Sequence, residues 1–297
     1  MVERGVEARS GHGVPSRQAR DERRSRDERS FASLGQSKRP RESTDKTHAI
    51  VMALRKNDMS VLQGLEFYIS KRVGKAIADY DMLSDGDKIA VAVSGGKDSL
   101  TLLRILNDRK AFVPIKYELL AVHIDLGYPC MHTNVLSEYF KAQGINYHIE
   151  KVDILKGKTR KDISCFWCSW NRRKALFKTA SRFGCTKVAL GHHKDDIIET
   201  ILMNLFFHGE ISAMAPKQEL FKGKIVLIRP LAYVQEDMLR RFAKEANFPR
   251  QKCACPNSLT SNRTKIANII KDLRKVCPDV KTNIFRSIKR IKQDYLL

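Results

Sequence analysis

The sequence predicts an α/β protein with a parallel, doubly wound sheet and further helices flanking it at the N- and C-terminal ends. Short apolar runs, suited to strands buried on both faces, alternate along the chain with segments whose apolar residues recur every three or four positions. Strands that alternate with helices pair in parallel, because each crossover helix returns the chain to the same edge of the sheet. The chain has 297 residues, of which 42% are hydrophobic, so it can bury one sizeable core or two small ones.

The predicted elements follow in strict alternation once the sheet begins. The strands cover 88–94, 118–124, 147–152, 187–190 and 225–228, and the helices between them cover 99–106, 135–142, 168–183 and 197–207. A helix over 59–82 precedes the sheet, and helices over 238–246, 265–276 and 282–291 follow it.

Composition divides the chain into four parts. Residues 1–45 are rich in Arg, Ser, Glu and Gly and hold too few apolar residues to offset the entropy of ordering, so we expect a disordered tail. An unused upstream start codon would give the same appearance. The other parts are an N-terminal helical segment over 46–85, the sheet domain over 86–250, and a C-terminal helical segment with distal cysteines over 251–297.

The charge of the chain points to a polyanionic partner. Lys and Arg number 55 against 33 Asp and Glu, a formal net charge of +22. The first 50 residues hold 12 basic and 8 acidic residues, so +18 of that excess lies in the remainder. A folded domain this basic binds nucleic acid through counterion release, with an anionic membrane surface as the alternative. No apolar stretch approaches the roughly 20 residues that span a bilayer, which excludes an integral membrane protein.

The cysteines and the N-terminus favour a cytoplasmic location. Seven cysteines, an odd number, do not indicate a secreted disulfide scaffold in a chain of this length. No apolar run typical of a signal peptide follows the N-terminal charges. A transit peptide is disfavoured by early acidic residues, namely Glu3, Glu7, Asp21, Glu22, Asp27 and Glu28.

A hexapeptide, Ser-Gly-Gly-Lys-Asp-Ser over 94–99, joins the first strand to the next helix. Gly95 and Gly96 allow a sharp turn and bring backbone N–H groups close to an anion. The positive charge of Lys97 and the N-terminus of the helix act in the same direction. A Walker A loop needs four residues between its glycines and is excluded. The hexapeptide therefore predicts a phosphate site.

Two cysteines form a C-x-x-C pair, Cys165 and Cys168, near the start of the helix after the third strand. One such pair is compatible with a redox couple, half of a zinc site or ligands of an iron–sulfur cluster. A thioredoxin-like site fits poorly, because the pair does not follow the first strand of a short βαβ unit. Cys253 and Cys255, about 85 residues later, could add ligands. Spacing alone supports zinc and a cluster equally.

The hexapeptide is typical of the PP-loop ATP pyrophosphatases, and the chain resembles that superfamily. Together with the C-x-x-C pair, Gly-His-His-Lys-Asp-Asp over 191–196 and Ile-Arg-Pro-Leu over 228–231 resemble the TtcA-type tRNA 2-thiocytidine synthetases. The match covers 67–263, about two thirds of the chain. The resemblance implies that ATP adenylates O2 of a cytosine in tRNA and that sulfur then displaces AMP. The implied product is 2-thiocytidine at position 32.

The resemblance also implies roles for particular residues. The ATP-binding set is Ser94, Gly95, Gly96, Lys97, Asp98, Ser99, His123 and Gly191. Asp98, Asp195 and Asp196 are expected to hold Mg²⁺ and position the nucleotide, although acids in a first helical turn also simply complement the helix dipole. Arg172 lies one turn from the cysteines and is expected to stabilise charge that develops on the activated base.

The implied cofactor is a [4Fe–4S] cluster held by three cysteines, with one iron open for sulfur. Cys165, Cys168 and Cys255 are the expected ligands, because Cys255 keeps the family's spacing to Arg263. The family pattern at this point is C-x-x-C, whereas this chain has C-x-C, so Cys253 stays the alternative. The expected partners are tRNA and a cysteine desulfurase as sulfur donor, without a membrane. The oligomeric state is open, with a homodimer as one arrangement.

Two alternative functions remain at this point. The first is a TtuA-type tRNA 2-thiouridine synthetase, whose usual paired cysteines near the termini are not found before Ser94. The second is a zinc-stabilised RNA- or nucleotide-binding module without catalysis, against which the complete phosphate and cysteine motifs argue. For the RNA itself, the basic residues from Arg263 onward, Lys281 among them, form an expected backbone-binding surface. Phe166, Trp167 and Trp170 either stack a base or shield the cluster.

Overall fold

A computed structural model of the chain describes residues 64–127, 133–154, 163–249 and 262–295. Within these residues the strands are β1 (Asp87–Ala92), β2 (Tyr117–Asp125), β3 (Tyr147–Lys151), β4 (Lys187–Ala189), β5 (Lys217–Leu220) and β6 (Ile225–Ile228). They form one six-stranded sheet in the order β3-β2-β1-β4-β6-β5. All neighbours pair in parallel except β5, which is antiparallel to β6. The predicted α/β class and doubly wound sheet are confirmed.

The edge strand β5 was not predicted, and it corrects the expectation of a wholly parallel sheet. Its sequence, Lys-Gln-Glu-Leu, has no buried residue, so it carries none of the apolar pattern that marks the other strands. It is instead held by a tight hairpin, in which Phe221, Lys222 and Gly223 all adopt positive φ. An edge strand of this composition also discourages pairing with another chain.

The helices are α1 (Gly64–Asp79), α2 (Lys97–Arg109), α3 (Thr133–Ala142), α4 (Cys165–Arg182), α5 (Lys194–His208), α6 (Glu236–Glu245), α7 (Asn262–Val276) and α8 (Val280–Ser287), with short 3₁₀ turns at Pro230–Tyr233 and Gln293–Tyr295. Every helix from α2 to α8 begins two or three residues earlier than predicted, and sequence motifs account for this in α2, α4 and α5. Their first turns contain the polar or cysteine motifs, which lack apolar periodicity but have favourable N-terminal positions. None of the helices in the described ranges could cross a membrane.

Alternate residues of the strands pack on opposite faces of the sheet. Ile89 and Val91 join one core with α1, α2, α3 and α6, whereas Ala90 joins a second core with Leu176 and Ala180 of α4. Burial on both faces accounts for the continuous apolar runs in the sequence. Two smaller clusters pack α5 against α7, α8 and the turn after β6.

The strand order changes direction at β1, whose neighbours are β2 on one side and β4 on the other. In open α/β sheets the crevice at such a switch point, outside the carboxyl ends of the strands, is where ligands bind. The loops that follow β1 and β4 lead into α2 and α5 at this edge. The predicted tail over 1–45 lies outside the described residues, and the four-part division of the chain stays a prediction.

Candidate active site

The loop between β1 and α2 is held in shape by its own serines. The backbone N–H of Ser94 donates to Oγ of Ser99 (3.1 Å), and that hydroxyl donates to the carbonyl of Gly96 (2.9 Å). Gly95 turns the chain with φ of +82°, which favours glycine. No side chain caps α2 at Gly96, so the first N–H groups of the helix are left for another acceptor. This geometry suits a bound phosphate.

Gly191, at the end of β4, lies directly against this loop. A Cβ atom added there would stand 3.0 Å from the Ser99 nitrogen and 3.1 Å from both the Asp98 carbonyl carbon and the Ser99 Cα. These are backbone atoms that cannot swing aside. A glycine is therefore required for the β4 end and the phosphate loop to approach so closely.

Two charged side chains at the start of α2 face the crevice. Nζ of Lys97 lies 3.2 Å from Oδ2 of Asp98 and 3.1 Å from Oε1 of Glu236, at the start of α6. Burial alone would lower the pKa of Lys97, but these two carboxylates outweigh it and raise the pKa above its ordinary value. Sequence reasoning missed Glu236, which carries no motif and lies 139 residues from Lys97.

The other oxygen of Asp98, Oδ1, is buried and has no hydrogen-bond partner among the described residues. Burial is the main reason that the pKa of this carboxyl is raised, and Lys97 acts in the opposite direction. A buried carboxylate oxygen without a donor is costly unless something binds it. A Mg²⁺ ion that also binds phosphate oxygens is a hard cation of the right kind, so Asp98 fits the predicted metal.

The acids at the start of α5 are engaged with other parts of the protein. Oδ2 of Asp195 accepts the backbone N–H of Glu236 (2.7 Å), and Oδ1 pairs with Lys281 of α8. Asp196 forms a capping box with His193 and pairs with Arg263 of α7 at 2.7 Å. Burial would raise the pKa of Asp195, but Lys281 and the Glu236 amide lower it below its ordinary value. Both carboxylates thus tie the C-terminal helices to the sheet edge.

His123 lies beneath the phosphate loop at the end of β2. Its Nδ1–H donates to the carbonyl of Val93 (2.7 Å), which joins the end of β2 to the residue that precedes the loop. Its Nε2 is buried without a hydrogen-bond partner among the described residues. Burial lowers the pKa of this histidine, so the ring is neutral near pH 7.

The cysteine pair occupies the first turn of α4. Ser164 caps the helix by accepting the backbone N–H of Trp167 (3.2 Å). Cys168 follows Cys165 by three residues within that turn. Cys168 is partly buried against the core on the α4 side of the sheet. The predicted third ligand, Cys255, and its alternative Cys253 lie outside the described residues.

This edge of the sheet therefore holds the predicted phosphate loop and the start of α4, where the cysteine pair lies. In the part of the chain that is described, no three His, Cys, Asp or Glu side chains are grouped to hold a metal ion. Cysteine thiols are the soft donors that an iron–sulfur cluster takes, and the C-x-x-C pair would need a further cysteine from elsewhere in the chain. The observed donors fit such a cluster in part.

Comparison with known proteins decides the family. A model of the PP-loop domain matches residues 65–255. The tRNA-cytidine(32) 2-sulfurtransferase of Geotalea uraniireducens is 43% identical over 235 residues, covering 77% of this chain and 93% of the relative. The enzyme of the same name from Geobacter sulfurreducens is also 43% identical and is covered to 91%. This chain belongs to the tRNA-cytidine(32) 2-sulfurtransferase family.

A solved structure supports the fold of this sulfurtransferase family member. The U34-tRNA thiolase NcsA from Methanococcus maripaludis, with its [4Fe-4S] cluster, has a TM-score of 0.63 and 25% sequence identity. The comparison covers 78% of this chain and 81% of the thiolase. The predicted resemblance to PP-loop tRNA thiolating enzymes is thereby confirmed.

The remaining predicted residue, Arg172, is exposed on the second turn of α4. Its charge is a smaller cause of the lowered pKa of His123, after burial. Nearby, Nε of the buried Arg229 donates to Nδ1 of His192 (3.3 Å). Burial, followed by the charge of Arg229, lowers the pKa of His192 to about 4. Sequence reasoning noted both motifs but did not predict that they meet.

Proposed function

We propose that this sulfurtransferase family member uses ATP and an iron–sulfur cluster to convert cytidine 32 of tRNA to 2-thiocytidine. The observation that carries the proposal is that two predicted sites follow parallel strands of one sheet. The phosphate loop with the unpartnered Asp98 oxygen follows β1, and the C-x-x-C turn opens α4, which follows β3. Because these strands are parallel, both sites lie at the carboxyl edge.

The phosphate loop binds the ATP in this proposal. The N–H groups at the start of α2 and the hydroxyls of Ser94 and Ser99 donate to the phosphates, and Lys97 balances their charge. Asp98 would hold Mg²⁺, which when bound draws charge from the phosphate oxygens. The β2 end at His123 and the close-packed Gly191 form the walls beside the nucleoside. Attack of the cytosine O2 on the α-phosphorus forms an O–P bond and releases pyrophosphate.

The first turn of α4 supplies the ligands for the cluster. Cys165, Cys168 and Cys255, with Cys253 as the alternative third residue, would hold it, and when bound it provides the sulfur that replaces oxygen at C2. The Ser164 cap holds the first turn of α4, in which the pair lies. Arg172, one turn from the cysteine pair, stabilises the charge that develops on the activated base. Sulfur forms the new bond to C2 as the C2–O2 bond breaks, so AMP carries away the original oxygen.

The roles of Asp195 and Asp196 are structural as well as catalytic in this proposal. Their ion pairs with Lys281 and Arg263 bring the basic C-terminal helices to the edge where tRNA must arrive. A cysteine desulfurase supplies the sulfur, and the reaction takes place in the cytoplasm. A homodimer would contain two of these sheet edges, one from each copy of the chain.

A second candidate is thiolation of a uridine. It is favoured by the similarity in fold to the U34-tRNA thiolase, which has a [4Fe-4S] cluster. The higher identity to the cytidine enzymes makes it the weaker candidate. The two candidates share every residue role named above and differ only in the base that is recognised.

The test is a reconstituted reaction under anaerobic conditions. Protein carrying its cluster is mixed with labelled ATP, unmodified tRNA and a cysteine desulfurase with cysteine. We expect equal amounts of AMP and 2-thiocytidine. Cys168→Ala should make no thiolated base, whereas Cys277→Ala, a cysteine in the α7–α8 connection, should match the wild type. A 2-thiouridine product, or an active Cys168→Ala variant, would refute the proposal.

A further inference from the structure

A groove of about 840 Å³ lies on the α4 side of the sheet, away from the phosphate loop. One wall is the outer face of α4, with Trp170 and Phe177, and the other is the β5–β6 hairpin, with Phe221. Leu190 and Leu227 form its floor. This volume is within the roughly 300–1,000 Å³ of known ligand sites. We call it the α4–hairpin groove.

The charge around the groove is of one sign. Its lining contains five cationic side chains, namely Arg173, Lys174, Lys178, Arg182 and Arg229, and none of the described lining residues is acidic. One of these cations, Arg182, is paired with Glu150 on β3. The others make no ion pair with a described carboxylate. A concave surface of this kind concentrates anions.

Arg229 is the most telling of these cations, because it is only 7% exposed. Its guanidinium donates to His192 Nδ1 and to the Ala215 carbonyl, both of which are uncharged acceptors. Burial and the charge of Arg173 lower its pKa to about 10. A buried cation is costly without a counter-charge, so an anion that reached Arg229 and Arg173 would bind favourably.

The groove also offers flat apolar surface to its occupant. Trp170 is 55% exposed and Phe221 is 59% exposed, which is unusual for large aromatic side chains. Phe177 touches Phe221 edge-on, with ring centroids 5.7 Å apart, and closes the far end of the groove. Exposed aromatic rings beside cations are the recurring combination in sites for single-stranded nucleic acid, where bases stack and phosphates pair.

We propose that the α4–hairpin groove binds an unpaired segment of the tRNA substrate next to the target base. Phosphates pair with Arg229, Arg173 and Lys178, and a base stacks on the exposed rings. The groove reaches the reaction edge through Arg229 and His192, the neighbour of Gly191. This inference rests on the proposed function for the identity of the RNA, but neither the phosphate loop nor Cys168 is among the described residues that line the groove.

The experiment measures the affinity for a fluorescent anticodon stem-loop RNA by anisotropy, at several salt concentrations. Lys178→Glu should weaken binding about tenfold. It should also reduce the slope of log Kd against log salt concentration by about one or two, because one phosphate contact is lost and its charge is reversed. Phe221→Ala should weaken binding at least about fivefold with the salt dependence unchanged. Lys224→Glu is the matched control, because Lys224 is exposed on the same hairpin but does not line the groove.

Thermal unfolding and the KM for ATP identify variants that fail for other reasons, and both should stay at wild-type values. If both groove variants bind RNA as Lys224→Glu does while the wild type thiolates tRNA, the groove proposal fails and the proposed function stands. If the wild type binds RNA through the groove but makes no thiolated base, the proposed function fails alone. Loss of a dimer in the groove variants with unchanged RNA affinity would assign the groove to a second copy and overturn the proposal.

Discussion

Gly191→Ala tests whether the close approach of β4 to the phosphate loop is needed for ATP binding. The new methyl carbon would meet the Ser99 nitrogen at 3.0 Å and two further backbone atoms at 3.1 Å, whereas ordinary contacts begin at 3.4 Å. The start of α2 must therefore move away by at least 0.4 Å. A flexible side chain could absorb such a shift, but three atoms of one backbone turn move only together.

The expected effect has two parts. Insertion of a methyl group into a packed contact of this kind costs about 1–3 kcal/mol in the free energy of unfolding. A misplacement of 1 Å can cost about a hundredfold in rate, so a shift of about half that size should lower kcat/KM for ATP about tenfold. The loss should appear in kcat/KM for ATP more than in the affinity for tRNA, since the displaced atoms belong to the phosphate loop.

Urea unfolding and pyrophosphate release measure the two parts separately. Gly96→Ala is the control for stability, because its methyl group would meet only the Ser94 hydroxyl, at 3.4 Å. It should unfold like the wild type even though it faces the nucleotide. A Gly191→Ala variant with wild-type stability and wild-type kinetics would show that the loop does not depend on this contact.

Three further predictions concern charged groups. Burial and the nearby Asp108 raise the pKa of Glu66 from 4.5 to about 7. The folded protein therefore favours the protonated carboxyl, and the stability that this form contributes is complete below about pH 4.5 and is lost as the pH rises through 7. Glu66→Gln should therefore be more stable than the wild type by about 1–3 kcal/mol at pH 8 and nearly equal at pH 5 in urea melts; equal differences at both pH values would contradict this. Asp98→Asn should slow pyrophosphate release about a hundredfold without lowering stability, and a variant with normal Mg²⁺-dependent turnover would exclude Asp98 as a ligand. Lys281→Met leaves the buried Asp195 without its cation and should cost about 2–4 kcal/mol in the free energy of unfolding, whereas Lys275→Met, which removes an exposed pair with Asp272, should leave it unchanged.

The parts of the fold that could be predicted from sequence are those with a local pattern. The buried strands β1, β2, β4 and β6 are continuous apolar runs, and each crossover helix has an apolar stripe. The edge strand β5 has neither, since its position depends on hairpin pairing with β6 and not on burial. The predicted starts of α2, α4 and α5 were late for a related reason. Their first turns are occupied by motif residues. Ser164 and His193 cap α4 and α5, whereas α2 follows the glycine turn after β1 without a side-chain cap among the described residues.

The candidate site divides in the same way. Ser94, Lys97, Asp98 and the cysteine pair could be named because their motifs are contiguous in sequence. The residues that contact the site from distant parts of the chain could not be named. Glu236 contacts Asp195 across 41 residues, and Lys281 contacts it across 86. Arg263 and Lys281 were expected on a surface for tRNA, and the structure pairs them with Asp196 and Asp195. Only the three-dimensional packing of the C-terminal helices against α5 reveals these pairs.

The measurement that tests the central claim most directly is position-resolved mass spectrometry of tRNA nucleosides. The tRNA comes from cells that lack this protein and from the same cells complemented with the wild type, with Cys168→Ala or with Cys277→Ala. The account predicts that 2-thiocytidine at position 32 is absent without the protein and returns with the wild type and Cys277→Ala but not with Cys168→Ala. Unchanged 2-thiocytidine in the cells that lack the protein would contradict the account.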